Sequence, residues 1–419
     1  MSKQILNNQT DQLALLGGPM TLTRQPPPWP YFDELDRKAL LDVLESRVWG
    51  GYHEAVSELE QRFADYHGAK HGIAIANGTV SLEIALAAAG VRAGDEVIVP
   101  PITFVASATA IARIGAVPVF VDVDPNTINL NSQLVRAAIT ERTRAIVLVH
   151  FAGCPAHLDD FTTLCKEHNL VLIEDCAHAH GAEWKGQRVG SFGHFGSFSF
   201  QGSKNMTAGE GGMLITNDSD LAERARSIGN QGRRTGGAWY EHVNLGTNAR
   251  ITGFQAAVLL NQLERLPQQV KTRIDSAASL RSGLKNGPLK TTPAELDQRI
   301  TAHAFHLFSM IYDPDVLGGL HRDQFVAALQ AEGVPAASGY PYPIYHNELF
   351  KQRPHIVHLC PEAEAYCRRS VWLPQNALLA DEDWIAQALS AINKVFANAD
   401  HLLAHSTERE LSLPVSGHE

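Results

Sequence analysis

The sequence predicts an α/β fold, with a mainly parallel sheet in a large domain and a smaller C-terminal α/β domain. Short runs rich in valine and isoleucine alternate with helical patterns through the first half of the chain. Strands that alternate with helices in this way form a parallel sheet covered on both faces. The length of 419 residues exceeds what one hydrophobic core usually fills, so a second domain is expected.

The strand candidates are apolar segments with the β-branched residues that favour extended backbone. The first five are GIAIAN (72–77), EVIVPP (96–101), VPVFVDV (117–123), RAIVLVHF (144–151) and LVLIEDCA (170–177). Helices are predicted between them over 81–89, 105–114, 134–139 and 158–168. Two further strands, FGSFSF (195–200) and GGMLITND (211–218), precede a helix predicted over 220–228.

The second half of the chain begins with a segment, 231–250, that is rich in glycine, arginine and asparagine. It is predicted to be a long loop, and such loops are usually functional when ordered. A long helix is predicted from Gly253 to Pro267, followed by a strand at AFHLFSMIYD (304–313) and a helix at RDQFVAALQAEG (322–333). The predicted division is a mobile N-terminus over 1–12, a large domain over 13–267, a small domain over 268–398 and a polar, mobile tail over 399–419.

Composition narrows the class of protein. The net charge is −10 and the basic residues are dispersed, so nucleic acid is not an expected partner. No run approaches the roughly 18 apolar residues of a membrane span, and the polar start MSKQILNNQTDQ lacks a signal-peptide core, which predicts a cytoplasmic protein. The five cysteines form no CxxC pair and no zinc-like quartet, as is typical of reduced thiols.

A first candidate site is IANGTVSLEIAL (75–86), where a strand ends at Asn77, Gly78 permits a tight turn and Thr79 opens a helix. Free backbone N–H groups and the positive end of the helix dipole attract an anion at such a point, and the Thr79 hydroxyl is a further donor. An ordinary strand-to-helix turn with a polar cap would carry the same residues. These residues alone therefore do not distinguish a phosphate site from an ordinary turn, and phosphate binding is indicated only if other features support it.

A second candidate site is IEDCAHAHG (173–181), in which Asp175 closes an apolar strand. The carboxyl ends of strands line the ligand crevice of an open α/β sheet, and a carboxylate there needs a cationic or N–H partner. Asp175 could instead cap the following helix, or bind a metal with His178 and His180. We predict no metal site, because these two histidines diverge in both an extended and a helical backbone.

The third candidate is Lys204 in SFQGSKNMTAGEGG (199–212), among small residues and with no acidic residue before Glu210. Desolvation or a nearby cation would lower the pKa of this lysine and make it a nucleophilic amine, as a Schiff-base lysine requires. The alternative is a solvated loop lysine.

One hypothesis joins the three sites. Pyridoxal 5'-phosphate needs an anion site for its phosphate, an acid that keeps its pyridine nitrogen protonated, and a lysine for its aldehyde. Thr79, Asp175 and Lys204 supply these in turn, and Phe104, just after another strand, offers an aromatic face for the ring.

The chain also resembles the DegT/DnrJ/EryC1/StrS family of sugar aminotransferases, from residue 13 to about residue 396. The motifs that carry the resemblance are NGTVSL, GDEVIVPPITFVASATAI, PVFVDVDP, HFAGCPAHLD, IEDCAHAHGA, GSFGHFGSFSFQGSKNMTAGEGG, GTNARITGFQAAVLLNQL and GVPAASGYPYPIYHNELF. The resemblance implies a fold type I pyridoxal-phosphate transferase, similar to aspartate aminotransferase. It also implies a homodimer with shared active sites.

Position by position, the resemblance implies that Lys204 carries the cofactor covalently and serves as general acid and base, with pyridoxamine 5'-phosphate formed between the two half-reactions. Asp175 would pair with the pyridine nitrogen, and Phe104 would stack on the ring. The implied phosphate ligands are Thr79, Val80, Ser199 and, from the neighbouring subunit, Asn248, and Gly78 is expected among the cofactor-binding residues. His178 departs from the glutamine more common in the family, and its contact with the cofactor is left open.

The expected activity is transfer of an amino group from glutamine or glutamate to a keto-sugar or a cyclitol ketone of the scyllo-inosose type, in secondary-metabolite or antibiotic biosynthesis. Alternatives are a nucleotide-keto-sugar aminotransferase, an enzyme like 3-amino-5-hydroxybenzoate synthase, and a cofactor-binding regulatory protein without turnover. The related dehydratases replace the lysine by histidine, so the lysine here favours transamination. Candidate substrate residues are Tyr342, Tyr345, His346, Arg233 and Arg234; a structural tyrosine-rich loop and plain surface charges are the alternatives.

Overall fold

The computed structural model describes residues 12–285, 287 and 289–406. Its α-helices in chain order are α1 Glu34–Ser46, α2 Glu54–His67, α3 Gly78–Ala88, α4 Ala106–Arg113, α5 Ser132–Ala138, α6 Leu158–His168, α7 Ser219–Gly229, α8 Gly253–Leu284, α9 Arg322–Ala331, α10 Glu348–Lys351, α11 Pro361–Arg369, α12 Glu382–Ala397 and α13 Ala399–Ser406. Its strands are β1 His71–Ile75, β2 Glu96–Val99, β3 Val117–Phe120, β4 Thr143–Val149, β5 Val171–Asp175, β6 Glu183–Trp184, β7 Gln187–Arg188, β8 Phe195–Ser199, β9 Gly212–Thr216, β10 Leu289–Thr291, β11 Ile300–Ala302, β12 Leu307–Tyr312, β13 Ala337–Ser338, β14 Ile356–Val357 and β15 Ser370–Pro374.

The largest sheet has eight strands in the order β1-β9-β8-β5-β4-β2-β3-β14. Every neighbouring pair from β8 to β14 is parallel, whereas β9 runs antiparallel to both of its neighbours. The strand interiors are buried on both faces, as expected when helices cover a parallel sheet. The predicted mainly parallel sheet is confirmed.

Helices cover the two faces of this sheet through separate apolar clusters. One cluster joins the sheet to α2, α6 and the first half of α8, and the other joins it to α3, α4 and α7. Polar side chains start several of these helices: Asn77 accepts a hydrogen bond from an N–H of α3, and Asp218 accepts two from α7. Such caps satisfy N–H groups that the helix itself leaves free.

The predicted end of the long helix at Pro267 is wrong, because α8 continues through this proline to Leu284. A proline inside a helix removes one backbone hydrogen bond, but burial on both sides outweighs that loss. Leu266 and Val270 flank the proline in the first cluster, and Ala277 and Leu280 lie in the core of the C-terminal part of the chain.

That C-terminal core surrounds an antiparallel sheet in the order β10-β12-β15-β13, covered by α9 and α12. Leu13 and Leu22 from the start of the chain pack into it as well. Because helix α8 spans the proposed boundary, the division at 267 stays a prediction.

The two ends of the chain were predicted to be mobile. Residues 1–11 and 407–419 of these segments lie outside the described residues, but Ala399–Ser406 forms α13, with Ala399 and Leu402 buried. The prediction of a polar, mobile tail is therefore wrong for its first eight residues, because Ala399 and Leu402 are buried in the C-terminal core. In the part of the chain that the structure describes, no helix has the length and apolar character needed to cross a membrane.

Candidate active site

The predicted site residues converge at one edge of the large sheet, because parallel strands end on the same side. Asp175 is the last residue of β5, Ser199 is the last of β8, and Gly78 begins α3 just after β1. Strand β9 lies between β1 and β8, and α3 is tied to β8 by a 2.5 Å hydrogen bond between the hydroxyls of Ser81 and Ser197. The carboxyl edge is where open α/β sheets bind ligands.

The start of α3 and the end of β8 form a compact cradle. A Cβ added to Gly78 would lie 2.7 Å from the Cβ of Ser199, so only glycine allows this approach. Neither the N–H nor the hydroxyl of Thr79 has a hydrogen-bond partner among the described residues. The N–H of Val80, by contrast, donates to the Asn77 side chain at 2.9 Å. Free donors at a helix start suit a phosphate.

Asp175 is buried, with 5% of its surface exposed. Its Oδ2 accepts a 2.7 Å hydrogen bond from the hydroxyl of Ser107 in α4, and its Oδ1 accepts a 3.2 Å bond from the Ala177 N–H. Ser107 in turn lies 3.0 Å from the Thr103 hydroxyl. Burial raises the pKa of Asp175, while the two hydrogen bonds and the positive charge of Lys204 oppose that rise.

Lys204 lies five residues beyond the end of β8, after a turn in which its N–H donates to the Gln201 carbonyl at 2.9 Å. Its side chain is partly buried, and desolvation lowers the pKa of its amine to about 8, although the charge of Asp175 acts in the opposite direction. Lys204 thus differs from the alternative of a solvated loop lysine: it is partly buried and feels the charge of the buried Asp175 carboxylate. A lowered pKa gives a larger fraction of neutral, nucleophilic amine.

The two histidines after Asp175 point into different surroundings, so the structure does not gather them with Asp175 around a shared metal position. His178 stacks on the ring of His306, with ring centroids 4.3 Å apart, and its buried Nδ1 has no hydrogen-bond partner among the described residues. His180 packs against the rings of Phe198 and Phe200.

Phe104 and Asn248 are both exposed. Phe104 sits between Thr103 and the start of α4, one helical turn from Ser107, the residue that binds Asp175. Asn248 lies on the predicted long loop, which contains no helix and only isolated bridges such as that between Asn230 and Asn248. The roles predicted for both residues stay predictions.

A match to the family model of the DegT/DnrJ/EryC1/StrS aminotransferase family covers residues 30–390. The chain belongs to this family. An L-glutamine:scyllo-inosose aminotransferase of Streptomyces griseus is 43% identical over 76% of this chain and 78% of the relative. An L-glutamine:2-deoxy-scyllo-inosose aminotransferase of Micromonospora echinospora is 38% identical over 92% of this chain and 98% of the relative. The crystal structure of 3-amino-5-hydroxybenzoic acid synthase matches with a TM-score of 0.83 and 34% identity, over 91% of this chain and 99% of that one.

These findings confirm the predicted family, fold class and enzyme class: the chain is an aminotransferase of the aspartate aminotransferase-like fold. Membership of the family implies dependence on pyridoxal phosphate.

The tyrosine-rich segment of the aminotransferase reaches the same edge of the sheet, because the Ile344 N–H donates to the Pro101 carbonyl at 2.9 Å. There, the Tyr345 hydroxyl donates to Glu364 at 3.1 Å and its ring packs against Phe120, so its role as a substrate residue stays a prediction. Tyr342 and His346 are more exposed.

Arg233 and Arg234 line a separate cavity of about 520 Å³ beside β1 and the start of α2. Arg234 lies 3.8 Å from Glu241, and Arg233 contacts the Tyr52 hydroxyl at 3.4 Å. The structure does not bring these arginines into contact with Lys204 or Asp175, so their role as substrate ligands stays a prediction.

Several site residues were missed by the sequence analysis. Ser107 holds Asp175, and the only sequence sign of it is a small polar residue in the helix after Phe104. His306 and Asn205 pack beside His178 and Lys204 through contacts between distant parts of the chain. Tyr340 packs against Trp372 near Asp175, and burial raises the pKa of its hydroxyl.

Proposed function

We propose that this aminotransferase moves an amino group from glutamine or glutamate to a cyclitol ketone of the scyllo-inosose type in secondary-metabolite biosynthesis, with pyridoxal phosphate held on Lys204. The observation that carries the proposal is the position of Lys204, partly buried and five residues past the end of β8, beside the sheet edge at which the buried carboxylate of Asp175 ends β5. Burial at this position lowers the pKa of the Lys204 amine. The acceptor class is supported by the names of the two glutamine-dependent relatives, which match most of their length.

The residues present fit the cofactor. The unpaired donors of Thr79 and the close approach of Gly78 to Ser199 suit a phosphate group, and the unpaired Nδ1 of buried His178 suits a polar ligand. Asp175 would hold the pyridine nitrogen, with Phe104 against the ring face. When bound, pyridoxal phosphate supplies an aldehyde carbon and an electron sink for amine chemistry.

The chain's own groups would then do three things. The Nζ of Lys204 would be the point of attachment for the cofactor. When free and neutral, it would act as the base that takes the proton from the Cα of the amino donor, and its protonated form would return a proton to the acceptor carbon that gains the amino group. Asp175 keeps its partner nitrogen protonated, and Ser107 holds the carboxylate of Asp175 in place at 2.7 Å. Free N–H and hydroxyl donors at the start of α3 anchor the phosphate and so fix the reacting groups relative to Lys204.

We further propose that the enzyme is a cytoplasmic homodimer with shared active sites. The outer face of α1 exposes Leu35, Leu41 and Leu44, and the 231–250 loop exposes Trp239 and Leu245. Exposed apolar groups of this size are typical of protein interfaces. Asn248 lies on the same loop, which supports its reach to a neighbouring subunit. Light scattering should give a dimer mass, and a charge at Leu41 (Leu41→Glu) should give monomer.

The cofactor proposal is tested with purified protein. The wild type should absorb at roughly 410 to 430 nm, where protonated Schiff bases of this cofactor absorb, and the band should bleach with glutamine. Lys204→Ala should lose both the band and amino transfer, whereas Lys166→Ala, at an exposed lysine of α6, should keep them. Sustained turnover by Lys204→Ala would contradict the mechanism, and absence of turnover by a yellow wild type would favour a binding protein.

The acceptor is tested by offering cyclitol ketones and nucleotide keto-sugars with glutamine or glutamate as donor. Amination of scyllo-inosose or its 2-deoxy relative would support the proposal. Amination of nucleotide sugars alone would overturn the acceptor class. The third candidate, synthesis of 3-amino-5-hydroxybenzoate, is supported by the structural likeness to that synthase and would appear as formation of the aromatic amine.

A further inference from the structure

A pair of stacked histidines lies beside the candidate site. His178 follows Asp175 by three residues, and His306 immediately precedes β12 in the C-terminal part of the chain. Their rings are 4.3 Å apart at an interplanar angle of 29°, and each residue is only 6% exposed. This stack is a direct contact between the two parts of the chain that helix α8 connects.

His306 is also fixed by hydrogen bonds. The Asn205 amide donates from Nδ2 to the Ala304 carbonyl at 2.7 Å, so its Oδ1 is the atom that faces Nδ1 of His306 at 3.1 Å. An amide oxygen only accepts, and therefore Nδ1 of His306 carries the hydrogen. Asn205 is buried and follows Lys204 directly, so this bond restrains the backbone beside the lysine.

The surroundings keep both rings uncharged. Lys204 and His180 face both histidines, and Arg273 faces His306 as well. Burial, together with the positive charge of Lys204, holds the pKa of each imidazole well below its usual value. Two neutral rings stack without charge repulsion, and offset stacking is one of the two arrangements that aromatic pairs favour.

We propose that His306 is a positioning residue, which holds the His178 ring toward the cofactor pocket and couples the C-terminal part of the chain to the lysine loop through Asn205. The inference rests on the proposed function, because His178 is the group through which His306 would act on the cofactor. His306 itself supplies ring contact on one side and one N–H donor on the other.

The two contributions of His306 are separable by substitution. His306→Phe keeps the ring and loses the bond to Asn205, His306→Asn keeps a donor and loses the ring, and His306→Ala loses both. His306→Ala, which loses both the stack on His178 and the bond to Asn205, should weaken binding of pyridoxal phosphate to the apoprotein about tenfold. It should also shift the pH at which the visible band of the holoenzyme titrates. His67→Ala is the matched control, since His67 is a buried histidine stacked on Phe63 that does not touch His178.

A double-mutant cycle with His178→Ala decides whether His306 acts through His178. If it does, most of the effect of His306→Ala on cofactor affinity and on the pH titration disappears when His178 is already alanine. Additive effects, or effects no larger than those of His67→Ala, would overturn the inference. Wild-type protein that binds no pyridoxal phosphate would instead overturn the proposed cofactor, so the two failures are distinguishable.

Discussion

The pKa of Lys204 yields a prediction that needs no substrate. Burial lowers this pKa from 10.5 to about 8, and the negative charge of Asp175 limits the fall. This fall in pKa corresponds to about 3.4 kcal/mol in favour of the neutral amine over the ammonium form. At pH 7.5 about one quarter of the Lys204 side chains would be neutral, compared with about one in a thousand for a solvated lysine.

Replacing Asp175 by asparagine removes the charge that favours the ammonium form. We therefore expect the pKa of Lys204 to fall further in Asp175→Asn, so that the amine becomes neutral at lower pH. The measurement is competitive labelling of the apoprotein with an amine-reactive reagent, read by mass spectrometry. The pH range runs from roughly two units below the expected pKa of Lys204 to just above the ordinary lysine pKa of about 10.4. A small-molecule lysine amide in the same tube is the reference.

The wild type should label at Lys204 with a midpoint near 8, and Asp175→Asn should have a lower midpoint. A wild-type midpoint equal to that of the free lysine amide would refute the claim that Lys204 is desolvated. A higher midpoint in Asp175→Asn would refute the claim that the carboxylate faces the amine.

Two further predictions concern stability. Gly78→Ala would place a Cβ 2.7 Å from the Cβ of Ser199. We therefore expect the free energy of unfolding, measured in urea, to fall by about 1–3 kcal/mol, and pyridoxal phosphate to bind more weakly. Gly50→Ala should change neither, because a Cβ added to Gly50 has no atom within 4 Å. Asp122→Ala would remove a buried carboxylate that caps α11 by accepting 3.0 Å hydrogen bonds from the backbone N–H groups of Glu362 and Ala363. We expect the free energy of unfolding to fall by about 1–3 kcal/mol. A fall no greater than that caused by Asp42→Ala, at an exposed aspartate, would contradict the capping role of Asp122.

The strands of the large sheet could be predicted because their burial produces a recognisable pattern in the local sequence. A strand covered on both faces has a nearly continuous apolar run. Each of the five predicted runs overlaps one observed strand, although β1 and β4 begin one residue before their runs. The predicted runs extend beyond the strands at their ends: LVLIEDCA covers 170–177, whereas β5 is Val171–Asp175. Residues past the strand are still buried in the loops of the site, so hydrophobicity alone does not mark where pairing stops.

The error at Pro267 has a different origin. The helix was predicted to end at Pro267 because a proline inside a helix has a local cost. This prediction was made although no residue near Pro267 has the character of a C-terminal cap. The gain that outweighs this cost comes from the long-range burial of Val270, Ala277 and Leu280. A local rule could not weigh those contacts, because they depend on where α12 and the second core lie.

The candidate site shows the same contrast. Asp175 and Lys204 are identifiable from the sequence because a carboxylate at a strand end and a lysine among small residues are chemically unusual in those settings. His306 is an ordinary histidine in AFHLF, and its bond to Asn205 joins residues 101 positions apart.

The groups expected to perform the chemistry could thus be identified from the local sequence. The groups that position them could be identified only from the folded structure. This follows from their physical roles: a reactive group must differ from its surroundings in charge or pKa, which residue types reveal. A positioning group needs only shape and one correctly placed hydrogen bond, which many residue types provide. Positioning residues such as His306 and Ser107 are therefore where structure adds most to a family assignment, and where substitutions should alter cofactor binding without removing a reacting atom.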